Sequence, residues 1–192
     1  MKPRILIAGI GNIFLGDDAF GCEVAQQLLR QTFPDHIKII DFGIRSLDLT
    51  YALLESWEAV ILIDAVPRSE APGTVYVIEP EAPSPDPAAA PSGMPVIDAH
   101  GMDPAKVLAL VASMGGTLPR LILIGCEPAP VDEMDMQTGL SDAVLAAIPQ
   151  AIEIIKDLAA KLSAADQHEK MPSAGDSPHG HSHEIRPVHP SL

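Results

Sequence analysis

Gly9-Ile10-Gly11-Asn12-Ile13-Phe14-Leu15-Gly16-Asp17-Asp18-Ala19-Phe20-Gly21 decides the fold. It follows an apolar run, Arg4 to Ala8, and precedes a helical pattern, so it reads as the turn between a first strand and a first helix. A dinucleotide fold places G-x-G-x-x-G at this turn and holds a pyrophosphate on the bare helix N-terminus. Here Gly9 and Gly11 fill two glycine slots, but Phe14 takes the third, and Asp17 and Asp18 stand at the helix mouth. Like charges 4 Å apart repel by ~1 to 4 kcal/mol at high effective dielectric. The turn therefore suits a cation better than a phosphate.

Four further apolar runs extend the pattern: Ile37 to Ile40, Ala59 to Ile63, Thr74 to Ile78 and Leu121 to Ile124. Helical stretches separate them. Ala19 to Arg30 carries a stripe of Phe20, Val24, Leu28 and Leu29, and Ser46 reads as the N-cap of a second helix with Leu47, Leu49, Leu53 and Leu54. Pro67 and Pro72-Gly73 make a turn, after which Thr74 to Ile78 is expected to return antiparallel as a hairpin partner of the third strand, at an edge. Asp103-Pro104 supplies an N-cap and N1 proline for a helix to Met114. Ser141-Asp142 opens a last helix, Ala143 to Leu162, in which Pro149 predicts a kink or a late start. The alternation predicts an α/β/α sandwich around a mostly parallel sheet of about five strands, one of them antiparallel.

The chain of 192 residues is 47% hydrophobic, enough for one domain, expected over 1–162. Residues 80–95 hold six prolines and read as an extended loop. From Ser163 onward four prolines and five of the seven histidines read as a disordered tail, 163–192, whose His179-Gly180-His181-Ser182-His183 could chelate nickel or bind metal without specificity. A net charge of −14 argues against nucleic acid and acidic membranes. Cys22 and Cys126 form no metal or disulfide framework, and each lies beside an apolar run as a buried thiol does. With no transmembrane run and no signal pattern, the expectation is a cytoplasmic protein, and a monomer.

Three groups fall at strand ends, where open α/β sheets bind ligands: Asp18, Asp64 and His100. Singly, Asp18 reads equally as a first-turn acid facing the helix dipole, Asp64 as a turn cap, and His100 as a loop residue. Together, two carboxylates and an imidazole can hold a divalent ion with positions open for substrate or water. Asp41 ends the second strand, where a nucleotide fold keeps its ribose-binding acid, and it carries the rival, nucleotide-binding reading. Arg45 reads as a surface arginine or as a partner for a substrate carboxylate. No Ser/His/Asp arrangement and no H-E-x-x-H motif is visible, so water is the expected nucleophile of any hydrolysis.

With these residues placed, the chain from Arg4 to Leu162 resembles the hydrogenase maturation proteases. The likeness rests on residues 9–21, on Ile61-Leu62-Ile63-Asp64-Ala65-Val66 with Pro72-Gly73-Thr74, on Asp98-Ala99-His100, and on Gly125-Cys126-Glu127-Pro128 with Gly139-Leu140-Ser141. It implies an endopeptidase, often classed as aspartic-type, that trims the C-terminal extension of the nickel-iron hydrogenase large-subunit precursor. It implies a metal site at Asp18, Asp64 and His100, engaging nickel that the precursor supplies. It also implies a catalytic set of Asp18, Asp64 and Asp41, with metal-assisted hydrolysis favoured over a paired-aspartate dyad. A noncatalytic nickel carrier using the same ligands is the alternative. Where the family often has Asp-Gly-Gly-Thr or Asp-Gly-Gly-Ser, this chain has Asp41-Phe42-Gly43-Ile44-Arg45-Ser46.

Overall fold

The computed structural model describes residues 2–79, 104–130 and 139–169. Five strands, β1 (Ile5–Ile10), β2 (Ile37–Gly43), β3 (Ala59–Ala65), β4 (Val75–Ile78) and β5 (Arg120–Cys126), form one sheet in the order β2-β1-β3-β5-β4. All pairs are parallel except β4 with β5. Four helices, α1 (Phe20–Leu29), α2 (Ser46–Leu53), α3 (Pro104–Ser113) and α4 (Asp142–Glu169), complete the described chain, with a 3₁₀ turn at Gly16–Ala19.

Alternation along the central strands sorts the core into two layers. Ile5, Ile7, Ile61 and Ile63 pack with Phe20, Val24 and Leu28 of α1 and Val144, Ile148 and Ile155 of α4. Leu6, Ala8, Val60 and Leu62 pack with Leu49 and Leu53 of α2 and Val107 and Val111 of α3. Both faces of β1 and β3 are thus covered, which is why these strands read as unbroken apolar runs. The expected α/β/α sandwich is what forms. Because β1 leads outward to β2 and the chain returns past β1 to β3, the strand order reverses between β1 and β3. That switch point opens a crevice at the carboxyl ends of the strands.

The structure departs from the sequence expectations in several places. Thr74 to Ile78 is no hairpin partner of β3: β5 lies between them, and β4 pairs antiparallel with β5 at the sheet edge. Ser46 is not the cap of α2. Arg45 occupies that position without a side-chain cap bond, and Ser46 begins the helix, its carbonyl accepting from Thr50 Oγ1. Leu29 leaves the α1 stripe and is exposed. Pro149 delays nothing: α4 starts at Asp142 and runs through it. Pro149 and Leu145, whose carbonyl loses its helical partner, are both exposed, so water can satisfy that oxygen. α4 also continues past Leu162 to Glu169, and Ser163 Oγ lies 3.0 Å from His36 Nε2. The proline-rich segment 80–95, Asp103 and residues 170–192 of the tail lie outside the described residues.

Candidate active site

The first loop is a locked turn. Asn12 Oδ1 accepts from the Phe14 N–H at 3.0 Å, Leu15 N–H donates to the Asn12 carbonyl at 3.0 Å, and Asp18 N–H donates to the Leu15 carbonyl at 3.1 Å. Asp18 closes it from below, Oδ2 accepting the Asn12 N–H at 2.7 Å. Gly11 permits this closure, for it has φ +134° and a Cβ there would lie 1.8 Å from the Asp18 carbonyl oxygen. Among the described residues Asp18 Oδ1 has no protein hydrogen-bond donor.

The two adjacent acids, alike in sequence, have different tasks. Asp17 Oδ1 accepts the Ser141 N–H at 2.6 Å, while Oδ2 accepts from Ser141 Oγ and the Ala129 N–H, each at 2.8 Å. Ser141 Oγ in turn accepts from Val144 N–H at 3.4 Å, so Ser141 caps α4 while bound to Asp17. Asp17 is a staple between the first loop and the end of β5. Asp18 makes its side-chain bond within the first loop.

Asp41 lies at the carboxyl end of β2. Its Oδ1 accepts from the Gly43 N–H at 3.1 Å and its Oδ2 from Gln26 Nε2 of α1 at 3.2 Å. The backbone here is held by Arg45, whose guanidinium donates to the Asp41 and Phe42 carbonyls and pairs with Asp48. Arg45 is therefore spent on its own loop rather than offered to a substrate. Phe42 is buried among the α2 and α3 side chains, which gives this aromatic a packing role.

Asp64 ends β3 at 8% exposure, and its Oδ1 accepts the Ala65 N–H at 2.9 Å. A carboxylate this buried at the switch point is costly unless it has partners or a function. The charges of all three acids act on one thiol. Cys22, fully buried on the first turns of α1, donates to the Gly11 carbonyl at 3.3 Å. Burial first, then the charge and hydrogen bonding of Asp41 and the charges of Asp18 and Asp64, push it up to about 12. Cys22 is thus an inert thiol that reports the electronegative field of the site.

His100 lies outside the described residues. Among the described residues no three His, Cys, Asp or Glu side chains gather at metal-ligand spacing. Sequence reading quoted Glu127 but gave it no role. It is 5% exposed and accepts from Arg68 N–H at 2.7 Å, Ser69 N–H at 3.1 Å and the Tyr76 hydroxyl. The Tyr76 bond, with the backbone N–H groups of Arg68, Glu70 and Ser69, outweighs burial and holds its carboxyl below the ordinary range. Burial and Glu127 together push Tyr76 up to about 12. The clamp fixes the segment after Asp64, including Ser69 in the left-handed region at φ 66°. An acid directly after an apolar strand, Ile124-Gly125-Cys126-Glu127, repeats the Ile63-Asp64 signal and could have revealed it.

The domain is a doubly wound α/β/α fold that carries acids after β1, on β2 and on β3, toward the end of the sheet where such folds bind ligands. The hydrogenase maturation protease family (HycI) matches residues 22–158, and the chain belongs to it. It is 33% identical over 160 residues to a Methanocaldococcus jannaschii protein that carries this family's name, covering 80% of this chain and 95% of that one. The hydrogenase 2 maturation protease of Escherichia coli is 30% identical over 151 residues, covering 78% and 87%. The solved hydrogenase maturating endopeptidase HybD of E. coli superposes with a TM-score of 0.64 at 26% identity, over 82% of this chain and 93% of that one. The chain is accordingly a peptidase of hydrogenase maturation, and this membership favours neither the carrier nor the nucleotide-binding reading. In the described residues no helix is long and apolar enough to cross a membrane.

Proposed function

We propose that this endopeptidase removes the C-terminal extension of a nickel-iron hydrogenase large-subunit precursor after nickel has been inserted. The observation that carries the reading is the family match over residues 22–158, and the acids Asp18, Asp41 and Asp64 after β1, on β2 and on β3, whose charges all act on Cys22, support it. The chemistry of the donors suits a divalent ion: Asp18 keeps Oδ1 without a protein donor among the described residues, and Asp64 is a buried carboxylate at the end of β3. Asp18, Asp64 and His100 would engage the nickel, which belongs to the substrate. A divalent ion at such a site supplies positive charge that lowers a water's pKa toward neutrality.

The protein's own part is to orient and to move a proton. A water adds its oxygen to the scissile carbonyl carbon, one of its protons passes to a carboxylate oxygen of the site that the nickel leaves free, and that proton then goes to the departing amine as the C–N bond breaks. Asp41 uses one bond on each oxygen for Gln26 and Gly43 and retains acceptor capacity with which it can hold the peptide beside β2.

The test is intact mass of the precursor, with and without nickel, after incubation with this protein and with Asp18→Ala, Asp64→Ala and His100→Ala. Loss of a C-terminal peptide from nickel-loaded precursor alone, abolished by each variant, is the expected result. Unchanged mass with every demonstrably loaded precursor would overturn the reading.

A further inference from the structure

The first loop presents three consecutive large apolar side chains to solvent: Ile13 at 52%, Phe14 at 77% and Leu15 at 61% exposure. These are not loose ends, for the hydrogen bonds of Asn12 and Asp18 fix the backbone that carries them. The neighbouring loop continues the apolar character. Gly11 N–H donates to the Gly43 carbonyl at 3.2 Å, joining the loops after β1 and β2, and Ile44, Leu47 and Tyr51 beyond that junction are also exposed. Leu47 and Tyr51 stand one turn apart on α2, opposite the Leu49 and Leu53 that it buries. Exposed apolar side chains grouped at one end of a sheet mark a protein contact, all the more in a chain with a net charge of −14.

We infer that this apolar rim is the docking surface for the precursor protein, gripping an apolar segment next to the scissile bond. The inference rests on the protease reading above and adds the place and chemistry of capture. The occupant follows from continuity: Asp18 is hydrogen-bonded to Asn12, two residues from Phe14, so a polypeptide with its peptide bond at Asp18 overlies the rim. Fixed aromatic and aliphatic anchors beside the reacting groups are where binding energy concentrates.

The test uses the full chain with nickel-loaded precursor. Phe14→Ser and the double variant Ile13→Ser/Leu15→Ser are expected to raise KM and the precursor's Kd by about 10- to 100-fold, leaving kcat at saturating precursor within about 2-fold. Binding is expected to hold between 50 and 500 mM salt, as an apolar contact does and a charge-steered one does not. Unchanged KM in both variants, with wild-type cleavage intact, overturns the docking surface and spares the protease reading. So does binding that collapses with salt, or self-association of the wild type that Phe14→Ser abolishes. Absence of cleavage by the wild type would instead remove the reading beneath it.

Discussion

A Cβ placed on Gly21 would lie 2.1 Å from the carbonyl oxygen of Ile63, the residue before Asp64. Helix α1 therefore lies directly on the last turn of β3, and the Ile10 carbonyl, at 2.2 Å, closes the same gap from β1. The glycines that resemble a phosphate loop serve backbone approach, which brings the α1 start beside Asp64. Gly21→Ala is expected to cost about 3 kcal/mol or more by overpacking. Urea denaturation checks this. A midpoint within error of wild type would show that α1 can shift without penalty.

Asp17 and Ser141, 124 residues apart in sequence, are joined by two hydrogen bonds. Asp17→Ala should lose about 2 to 4 kcal/mol, since hydrogen bonds to a charged acceptor are the stronger kind and their donors are left behind. Hydrogen exchange at residues 142–146 should rise with it, because the cap of α4 loses its anchor. Protection equal to wild type would place the anchor elsewhere.

Stability should fall at both ends of the pH range. Cys22 goes from 9.0 to about 12 and Tyr76 from 10.0 to about 12 on folding, so between about pH 9 and 12 the unfolded chain loses protons that the native one keeps. Stability is then full below pH 9 and declines above it. Glu127 is shifted the other way, so its contribution is present above the ordinary carboxylate range and lost as pH falls. Thermal melts from pH 8 to 11 should show the alkaline decline, and Cys22→Ala should make it shallower. An equal slope in that variant would contradict the burial of the thiol.

A chain ending at Glu169 should melt with the full-length protein, while one ending at Leu162 should be about 1 kcal/mol less stable. The latter loses Ser163, whose hydroxyl reaches both His36 and the Ala159 carbonyl. Differential scanning calorimetry of the two truncations separates the cases.

Much of this architecture is legible in the sequence because β1 and β3 are buried on both faces and read as uninterrupted apolar runs. The position of β4 was not, since its partner β5 follows 42 residues after its end and the turn at Pro72-Gly73 suggests a local hairpin. Strand-end position singles out Asp18, Asp64 and His100, and of Asp41 it says only that an acid ends β2. The division of labour between Asp17 and Asp18 could not be read this way, because it depends on which carboxylate meets the N-terminus of α4. Ser46 misled for a related reason: its sequence fits a cap, but Arg45 organises that turn through the Asp41 and Phe42 carbonyls.

One carboxylate of Asp17 receives the chain at Ala129 and again at Ser141. A change in the first loop is thereby transmitted to the start of a helix far along the chain, so the setting of α4 is written partly in the turn after β1.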